Sequence, residues 1–349
     1  MSNNRRRFIA EWEPTEAVII TLPAPHTDWD YILDEAIDQY RALAKAIAST
    51  GVKLIVLCAD SREAAELLAL PEGSGEVFFI ETDFNDTWVR DYGPLCIEKD
   101  GDRRRALDFG FNAWGLKFAA DKDNTVNRSL AEKAILRKEV YRNDTDFVLE
   151  GGSVETDGAG TVLTTTRCLC SPNRNGFLSK AEVNAQLQRR LGADHVVWLD
   201  FGALEGDDTD SHIDTLARMA PDDTIIYTGC DDPDDPQFAE LALMKRQLSM
   251  VRTAEGNPFN LIELPLPDPV YDPADGSRLP ATYANYLIVN NFILMPTYGC
   301  GRKDLLAAKT LKIAFPGHEI ISVDCRTLLR QHGSLHCATM QIPEGIAGL

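Results

Sequence analysis

The chain has 349 residues, 44% of them apolar, and a formal net charge of −19 because 54 acidic side chains outnumber 35 basic ones. That charge argues against nucleic acid or an anionic membrane surface as a partner. No apolar stretch is long enough to span a bilayer, and the basic N-terminus lacks the apolar stretch of a secretory signal. We therefore expect a cytoplasmic protein.

The eight cysteines are expected to stay reduced in that compartment. They include no C-x-x-C pair, and the spacing of Cys168 and Cys170 is too short for a zinc hook. We therefore predict neither a metal site nor a cofactor. For any single cysteine, burial as a small apolar side chain is the ordinary outcome.

The spacing of apolar residues predicts alternating helices and strands in the first part of the chain. In chain order, we predict a helix from Leu33 that ends at Gly51, a strand over residues 52–60, a helix over 62–70 and a strand over 76–83.

A unit of hairpin, helix and strand then occurs twice. The first unit has a hairpin over 147–166, a helix over 179–191 with Ser179 and Glu182 as capping box, and a strand over 195–199. The second has a hairpin over 286–296, a helix over 303–314 and a strand over 319–323. This repetition indicates an α/β chain built from structural repeats. Because no break in composition marks a boundary, we predict one domain over 1–349, with the proline-rich loop 264–280 as its lid.

Four short stretches concentrate polar groups where predicted strands end. They are NDTWVRDYGP (85–94), LEGGS (149–153), DDTDSHID (207–214) and GSLHC (333–337). Each has an ordinary explanation by itself. Asp91 could form an ion pair with the adjacent Arg90, and His212 could be a hydrogen-bonded histidine with no catalytic role. Together they supply one cysteine, one histidine and several carboxylates.

This combination is suited to thiolate attack on a cationic electrophile such as a guanidinium carbon. Carboxylates hold a planar guanidinium through paired, charge-assisted hydrogen bonds. The bound cation lowers the pKa of a nearby thiol, and a histidine protonates the departing nitrogen and later activates water. His212 and Asp214 are two residues apart, so on an extended segment we expect them to face the same side.

The whole chain resembles the agmatine deiminase and bacterial peptidyl-arginine deiminase family. The resemblance runs from EWEPTEAVIITLP (11–23) to Pro343, through NDTWVRDYGP, FNAWG (111–115), LEGGS, TDSHID, NYLIVNN and SLHC in this order. It implies the pentein fold, a five-bladed α/β propeller of ββαβ repeats with pseudo-fivefold symmetry. It also implies a small cationic guanidine substrate, and it is compatible with a homo-oligomer.

The resemblance carries specific roles onto matching positions. Cys337 is the expected nucleophile, His212 the general acid and base, and Asp91 and Asp214 the carboxylates that hold the guanidinium. Trp88 is the expected apolar wall, Glu150 a further substrate ligand or a structural acid, and Asp208 the partner of the terminal amine. The chain departs from the family pattern at Ser211, at Thr215 and in Gln331-His332-Gly333-Ser334, which leaves open the group at the far end of the substrate.

Several functions stay open at this stage. The leading prediction is hydrolysis of agmatine to N-carbamoylputrescine and ammonia. The main alternative is deimination of free or peptidyl arginine to citrulline, and amidino transfer shares the same covalent intermediate. A non-catalytic pentein that binds a partner would not need this cysteine, histidine and two aspartates together. A metal hydrolase built on His212-x-Asp214 lacks a second histidine at ligand spacing.

Overall fold

The computed structural model describes residues 6–71, 73, 75–101 and 103–349. The strands are β1 (Arg6–Phe8), β2 (Thr15–Thr21), β3 (Lys53–Cys58), β4 (Val77–Glu81), β5 (Leu95–Lys99), β6 (Arg103–Gly110), β7 (Tyr141–Val148), β8 (Val154–Thr156), β9 (Thr161–Thr165), β10 (His195–Leu199), β11 (Ala217–Ala220), β12 (Thr224–Thr228), β13 (Asn260–Leu264), β14 (Val270–Tyr271), β15 (Arg278–Leu279), β16 (Leu287–Val289), β17 (Phe292–Thr297), β18 (Glu319–Asp324) and β19 (Met340–Pro343). The helices are α1 (Leu33–Ser49), α2 (Ser61–Leu68), α3 (Val89–Tyr92), α4 (Ala113–Leu116), α5 (Val126–Glu132), α6 (Thr166–Leu169), α7 (Pro172–Asn175), α8 (Lys180–Leu191), α9 (Phe238–Met250), α10 (Arg302–Ala314) and α11 (Arg326–Leu329).

One ββαβ pattern occurs five times in the described part of the chain. Each unit consists of an antiparallel strand pair, a helix and a strand that pairs in parallel, and one unit takes its first strand, β19, from the C-terminal end of the chain. The units are β19-β2-α1-β3, β5-β6-α5-β7, β8-β9-α8-β10, β11-β12-α9-β13 and β16-β17-α10-β18. A helix in the crossover is what a parallel pair requires, because its two strands cannot be joined by a tight turn. The predicted ββαβ repeat is confirmed.

The helices of these units follow the predicted periodicity closely. Helix α1 places Tyr40, Leu43 and Ile47 in the core, where none of them is exposed. Burying an aliphatic side chain of this size contributes about 1.5–3 kcal/mol. Helix α8 begins with the predicted capping box, in which Ser179 and Glu182 bond to each other's backbone N–H groups. No helix in the described residues combines the length and apolar character that a membrane span requires.

The two ends of the chain meet in one sheet. Strand β19 pairs antiparallel with β2, so that Met340 lies opposite Ile19. Strand β2 pairs in parallel with β3, which extends the sheet into the core. Because Cys337 comes just before β19, this pairing holds the C-terminal cysteine close to the N-terminal segment that contains Glu11.

The proline-rich segment 264–280 differs from the expected loop. It contains a short hairpin, with β14 antiparallel to β15 and Val270 opposite Leu279. The Arg278 guanidinium is buried and donates to both carboxylate oxygens of Asp235, at 2.9 and 2.8 Å. No residue of this segment lines the cleft beside Cys337. The structure therefore gives the predicted lid no support.

Candidate active site

Cys337 lies in the loop between α11 and β19 and is 7% exposed. Its Sγ is 3.3 Å from Nδ2 of Asn285 and 3.7 Å from Oδ2 of Asp214. Burial raises the pKa of the Cys337 thiol well above its ordinary value, and the carboxylates of Asp214 and Asp91 raise it further. The sulfur is therefore a protonated thiol unless a cation enters between it and these carboxylates.

Asp91 belongs to the stretch NDTWVRDYGP and lies in the short helix α3. Its carboxylate accepts hydrogen bonds from Nε1 of Trp114 at 2.8 Å and from the N–H of Gly152 at 2.9 Å. Although Asp91 is next to Arg90 in the sequence, the two do not form an ion pair. The Arg90 guanidinium pairs with Glu11 instead. Burial raises the pKa of Asp91.

His212 is completely buried, with Nδ1 3.6 Å from Asp91 and Nε2 4.0 Å from Glu150. Neither ring nitrogen has a hydrogen-bond partner among the described residues. Burial by itself lowers the pKa of His212, but the charge of Asp91 and the neighbouring Cys168 and Glu150 raise it well above the ordinary value. The ring is thus suited to hold a proton that it can deliver to a leaving group.

Asp214 is not on an extended segment, so that prediction was wrong. Residues Ile213–Thr215 form a 3₁₀ turn, closed by the Thr215 N–H and hydroxyl donating to the carbonyl of His212. The Asp214 carboxylate accepts from Nδ1 of His336 at 2.8 Å and from Nδ2 of Asn285 at 3.2 Å. Burial opposes ionisation, but the hydrogen bond and charge of His336 hold the pKa of Asp214 below its usual range.

These groups converge around Gly152. A Cβ at this position would lie 2.7 Å from Nδ1 of His212, 2.9 Å from Oδ1 of Asp91 and 3.0 Å from Oδ2 of Asp214. Real Cβ atoms do not approach other atoms so closely, so only glycine leaves the three groups in place. The LEGGS stretch therefore supplies the space in which the imidazole and two carboxylates meet.

Glu150 lies behind His212 and does not line the cleft. The Nε of Arg174 lies 2.8 and 2.9 Å from the two oxygens of Glu150, and both side chains are fully buried. Another nitrogen of the same guanidinium, Nη1, donates to Asp210 at 2.6 Å. Of the two predicted roles for Glu150, this position favours the structural acid over the direct substrate ligand.

A cleft with apolar walls and acidic groups leads to Cys337. The rings of Trp88, Trp114 and Phe118 line it and form its apolar surface. Asp28, Asp86 and Asp208 also line it. Gly333 packs closely on Trp88: a Cβ added to Gly333 would lie only 2.3 Å from the Trp88 ring. The cleft therefore suits an apolar chain that ends in a positive charge.

Sequence reasoning assigned no role to three residues that contact the site. They are Trp114, Asn285 and His336. Each belongs to a stretch that the resemblance had already selected, namely FNAWG, NYLIVNN and SLHC. The available signal was therefore membership of these stretches, while the individual contacts depend on the fold.

Two groups of described residues have ligand atoms close enough to share a metal ion. They are Glu150 with Cys168 and His212, and Glu11 with Glu155 and His336. The carboxylates are already bound by arginines: Arg174 bonds Glu150, and Arg218 bonds both Glu11 and Glu155. A metal ion would lie beside a guanidinium in either group, which is unfavourable. Neither group contains Asp214, so they do not support a hydrolytic metal on His212-x-Asp214.

The family model of Porphyromonas-type peptidyl-arginine deiminases matches residues 7–343. The chain belongs to this family. An agmatine deiminase from Pseudomonas aeruginosa (strain LESB58) is 35% identical over 358 aligned positions, which cover 97% of this chain and 95% of the relative. The expected family is thus confirmed.

Solved structures of similar proteins support the same family assignment. A candidate arginine deiminase from Porphyromonas gingivalis is 44% identical, with a TM-score of 0.92 over 98% of this chain and 100% of the other. A cysteine-to-serine variant of C. jejuni agmatine deiminase with its substrate bound is 37% identical, with a TM-score of 0.89 over 97% of each chain. The predicted fold class, the α/β pentein fold, is confirmed.

Proposed function

We propose that this chain hydrolyses agmatine to N-carbamoylputrescine and ammonia through a covalent intermediate on Cys337. The observation that carries the proposal is the convergence of Cys337, His212, Asp91 and Asp214 at one end of an acidic, apolar-walled cleft. The two carboxylates supply charge for a planar cation, and the thiol lies beside one of them.

The bound guanidinium initiates the reaction by changing the ionisation of Cys337. Its positive charge offsets Asp91 and Asp214, which lowers the pKa of the thiol so that the S–H proton is released to solvent. The thiolate then forms a C–S bond with the guanidinium carbon. His212 donates its proton to the departing nitrogen as the C–N bond breaks, ammonia leaves, and a thiouronium remains on Cys337.

Water completes the reaction at the same carbon. Neutral His212 accepts a proton from the water as its oxygen attacks the thiouronium carbon. The C–S bond then breaks, the remaining O–H proton passes to the departing sulfur, the oxygen becomes the carbonyl of the carbamoyl product, and the Cys337 thiol is regenerated. Glu150 contacts no substrate in this scheme; it maintains negative charge behind His212 and is itself held by Arg174.

The acidic lining of the cleft supports agmatine as the substrate. Asp208 lines the cleft, and its carboxylate can receive the terminal ammonium, with Asp28 and Asp86 nearby. Trp88 contacts the methylene chain in this arrangement. We further propose that the protein acts in the cytoplasm on this free cation as a single-domain subunit, alone or as a homo-oligomer, without nucleic acid.

Deimination of free or peptidyl arginine is the second candidate. It is supported by the 44% identity to a candidate arginine deiminase and by the name of the matching family. An arginine backbone would bring a carboxylate or amide towards the acidic groups Asp28 and Asp208, which is less favourable than an ammonium.

The deciding experiment measures ammonia release from agmatine, free arginine and a short arginyl peptide under identical conditions. We expect kcat/KM to be highest for agmatine, with N-carbamoylputrescine identified by mass spectrometry. A higher kcat/KM for either arginyl substrate would establish the second candidate. Absence of ammonia from all three, with Cys337 unlabelled by a haloacetamidine in the folded protein, would identify a non-catalytic member.

A further inference from the structure

The Asp214 carboxylate is connected to the N-terminal segment through a single buried histidine. His336 is 1% exposed, with Nδ1 2.8 Å from Oδ2 of Asp214 and Nε2 2.7 Å from Oε1 of Glu11. Glu11 opens the EWEP stretch between β1 and β2 and is 325 residues away from His336 along the chain. The mechanism above assigns no role to either residue.

Glu11 is itself held by two buried arginines. Its carboxylate pairs with Nη1 of Arg90 at 3.1 Å and with Nη2 of Arg218. Burial opposes ionisation of Glu11, but Arg218, His336 and Arg90 together hold its pKa well below the usual range. Glu11 is therefore a fixed negative charge on the side of His336 that faces away from Asp214.

Arg218 also connects this arrangement to the backbone around Asn285. Its Nη1 donates to the carbonyls of Ala284 at 3.0 Å and Tyr286 at 2.6 Å, on either side of Asn285. Asn285 in turn contacts Cys337 and Asp214. One connected set of hydrogen bonds thus supports both groups that flank the thiol.

We propose that Glu11 and His336 are positioning residues that fix the Asp214 carboxylate beside the thiol of Cys337. Nδ1 of His336 lies 2.8 Å from Oδ2 of Asp214, and Nε2 of the same ring lies 2.7 Å from Oε1 of Glu11 and 3.2 Å from Nη2 of Arg218, so the ring is held from both sides. Glu11 sets the orientation of the ring, and the ring sets the orientation of Asp214. The inference rests on the proposed function, because a fixed carboxylate matters only if this site holds a planar cation.

Two substitutions at position 336 separate the two contacts of the ring. His336→Asn places an amide N–H near the position of Nδ1, which can still donate to Asp214. His336→Gln places its amide near the position of Nε2, which can reach Glu11 but not Asp214. Both variants lose the imidazole ring and a similar amount of packing. If His336 served only in folding, the two variants would therefore show similar labelling of Cys337.

The measurement compares the labelling of Cys337 by two reagents, 2-chloroacetamidine and iodoacetamide. The first carries a planar cation that the Asp214 carboxylate would bind, whereas the second is neutral and would react without that contact. We expect the ratio of their second-order rate constants to fall about thirtyfold or more in His336→Gln, as for loss of a charge-assisted hydrogen bond, and only about fivefold in His336→Asn, which keeps the bond to Asp214 but loses the contact with Glu11. Equal ratios in the two variants would overturn the proposal.

A pair of glutamates in one segment tests the contribution of Glu11. Glu11→Gln removes the charge behind His336, whereas Glu13→Gln removes one that pairs with Arg7. We expect the labelling ratio to fall about fivefold or more only in Glu11→Gln, a change comparable to a moderate loss of hydrogen-bond strength. A ratio within error of wild type in Glu11→Gln, with the folded far-UV CD spectrum retained, would also overturn the proposal.

These outcomes are separable from failure of the proposed function. The labelling ratio reports the grip on a cation beside Cys337 and does not require turnover of agmatine. If wild type labels readily but releases no ammonia from agmatine, the substrate assignment fails while the comparison of variants still decides the role of His336.

Discussion

The α-carbon of Gly152 lies so close to His212 that a methyl group there would stand 2.7 Å from Nδ1. The same methyl group would be 2.9 Å from Oδ1 of Asp91, which accepts a hydrogen bond from the Gly152 N–H. The glycine thus provides a backbone donor and open space at one position. This double use explains why a residue without a side chain lies among the ionisable groups of the site.

We predict that Gly152→Ala lowers kcat for agmatine about 100-fold or more. The methyl group must displace His212, Asp91 or Asp214, and a displacement of about 1 Å is enough for a loss of this size. Gly317→Ala is the matched control, because a Cβ there meets no atom within 4 Å. Steady-state ammonia release measures the effect, and near-normal kcat in Gly152→Ala would contradict the arrangement described.

Cys337→Ala should abolish turnover while leaving substrate binding measurable. The variant removes the nucleophile but keeps Asp91 and Asp214, and loss of a nucleophile costs about 1000-fold or more in kcat. Isothermal titration with agmatine reports binding, and mass spectrometry of the reaction reports product. Cys325→Ala serves as a control because its thiol is buried and donates to the carbonyl of Val323. Product formation by Cys337→Ala at more than a few per cent of the wild-type rate would exclude the nucleophile assignment.

Asp208→Asn should raise KM for agmatine by about tenfold or more. Loss of one favourable charge contact of about 1.4 kcal/mol corresponds to this change. The control is a substrate rather than a variant: butylguanidine lacks the terminal ammonium, so its KM should change less than about twofold. Equal changes for the two substrates would show that Asp208 does not receive the amine.

The stability of the protein should fall as pH rises towards 8 because of Asp86. Burial raises the pKa of the Asp86 carboxyl to about 7, with Asp123 and Asp28 as acidic neighbours. The folded chain therefore keeps a proton that the unfolded chain releases near pH 4. The resulting stabilisation is complete below about pH 4 and is lost as pH rises through about 7.

Asp86→Asn should remove this dependence. The difference in free energy of unfolding between the variant and wild type should increase by about 1–3 kcal/mol from pH 5 to pH 8. This range is reduced for solvent screening because Asp86 is partly exposed. Urea unfolding at the two pH values measures the difference. Glu66→Gln, an exposed position on α2, is the control. An equal pH dependence in wild type and Asp86→Asn would show that Asp86 is ionised at pH 5.

Much of the fold could be predicted because its signals are local. The capping box of Ser179 and Glu182 and the helical spacing of Tyr40 and Ile47 depend only on neighbouring residues. The 3₁₀ turn at Ile213–Thr215 was missed because it depends on Thr215 bonding back to the carbonyl of His212. Two-residue spacing could not distinguish this turn from a strand.

The candidate site was predicted only in part, because contacts between residues far apart in the sequence could not be predicted. The resemblance selected the stretches that contain Cys337, His212, Asp91 and Asp214, and the roles of these residues remain proposals. Glu150 illustrates the limit, because its pairing with Arg174 and its position behind His212 arise from packing between separate elements. The proline-rich segment illustrates it again, since Arg278 joins this segment to Asp235.

By itself the sequence determined the periodic helices and strands, the repeated unit and the residue types available for guanidinium chemistry, because each is encoded in nearby positions. Only the tertiary structure decided that Glu11, His336 and Asp214 form one line of hydrogen bonds behind Cys337. These residues come from distant parts of the chain, and a hydrogen bond requires donor and acceptor to lie within about 3 Å. That distance is set by how the sheets and helices pack, which no spacing along the chain specifies.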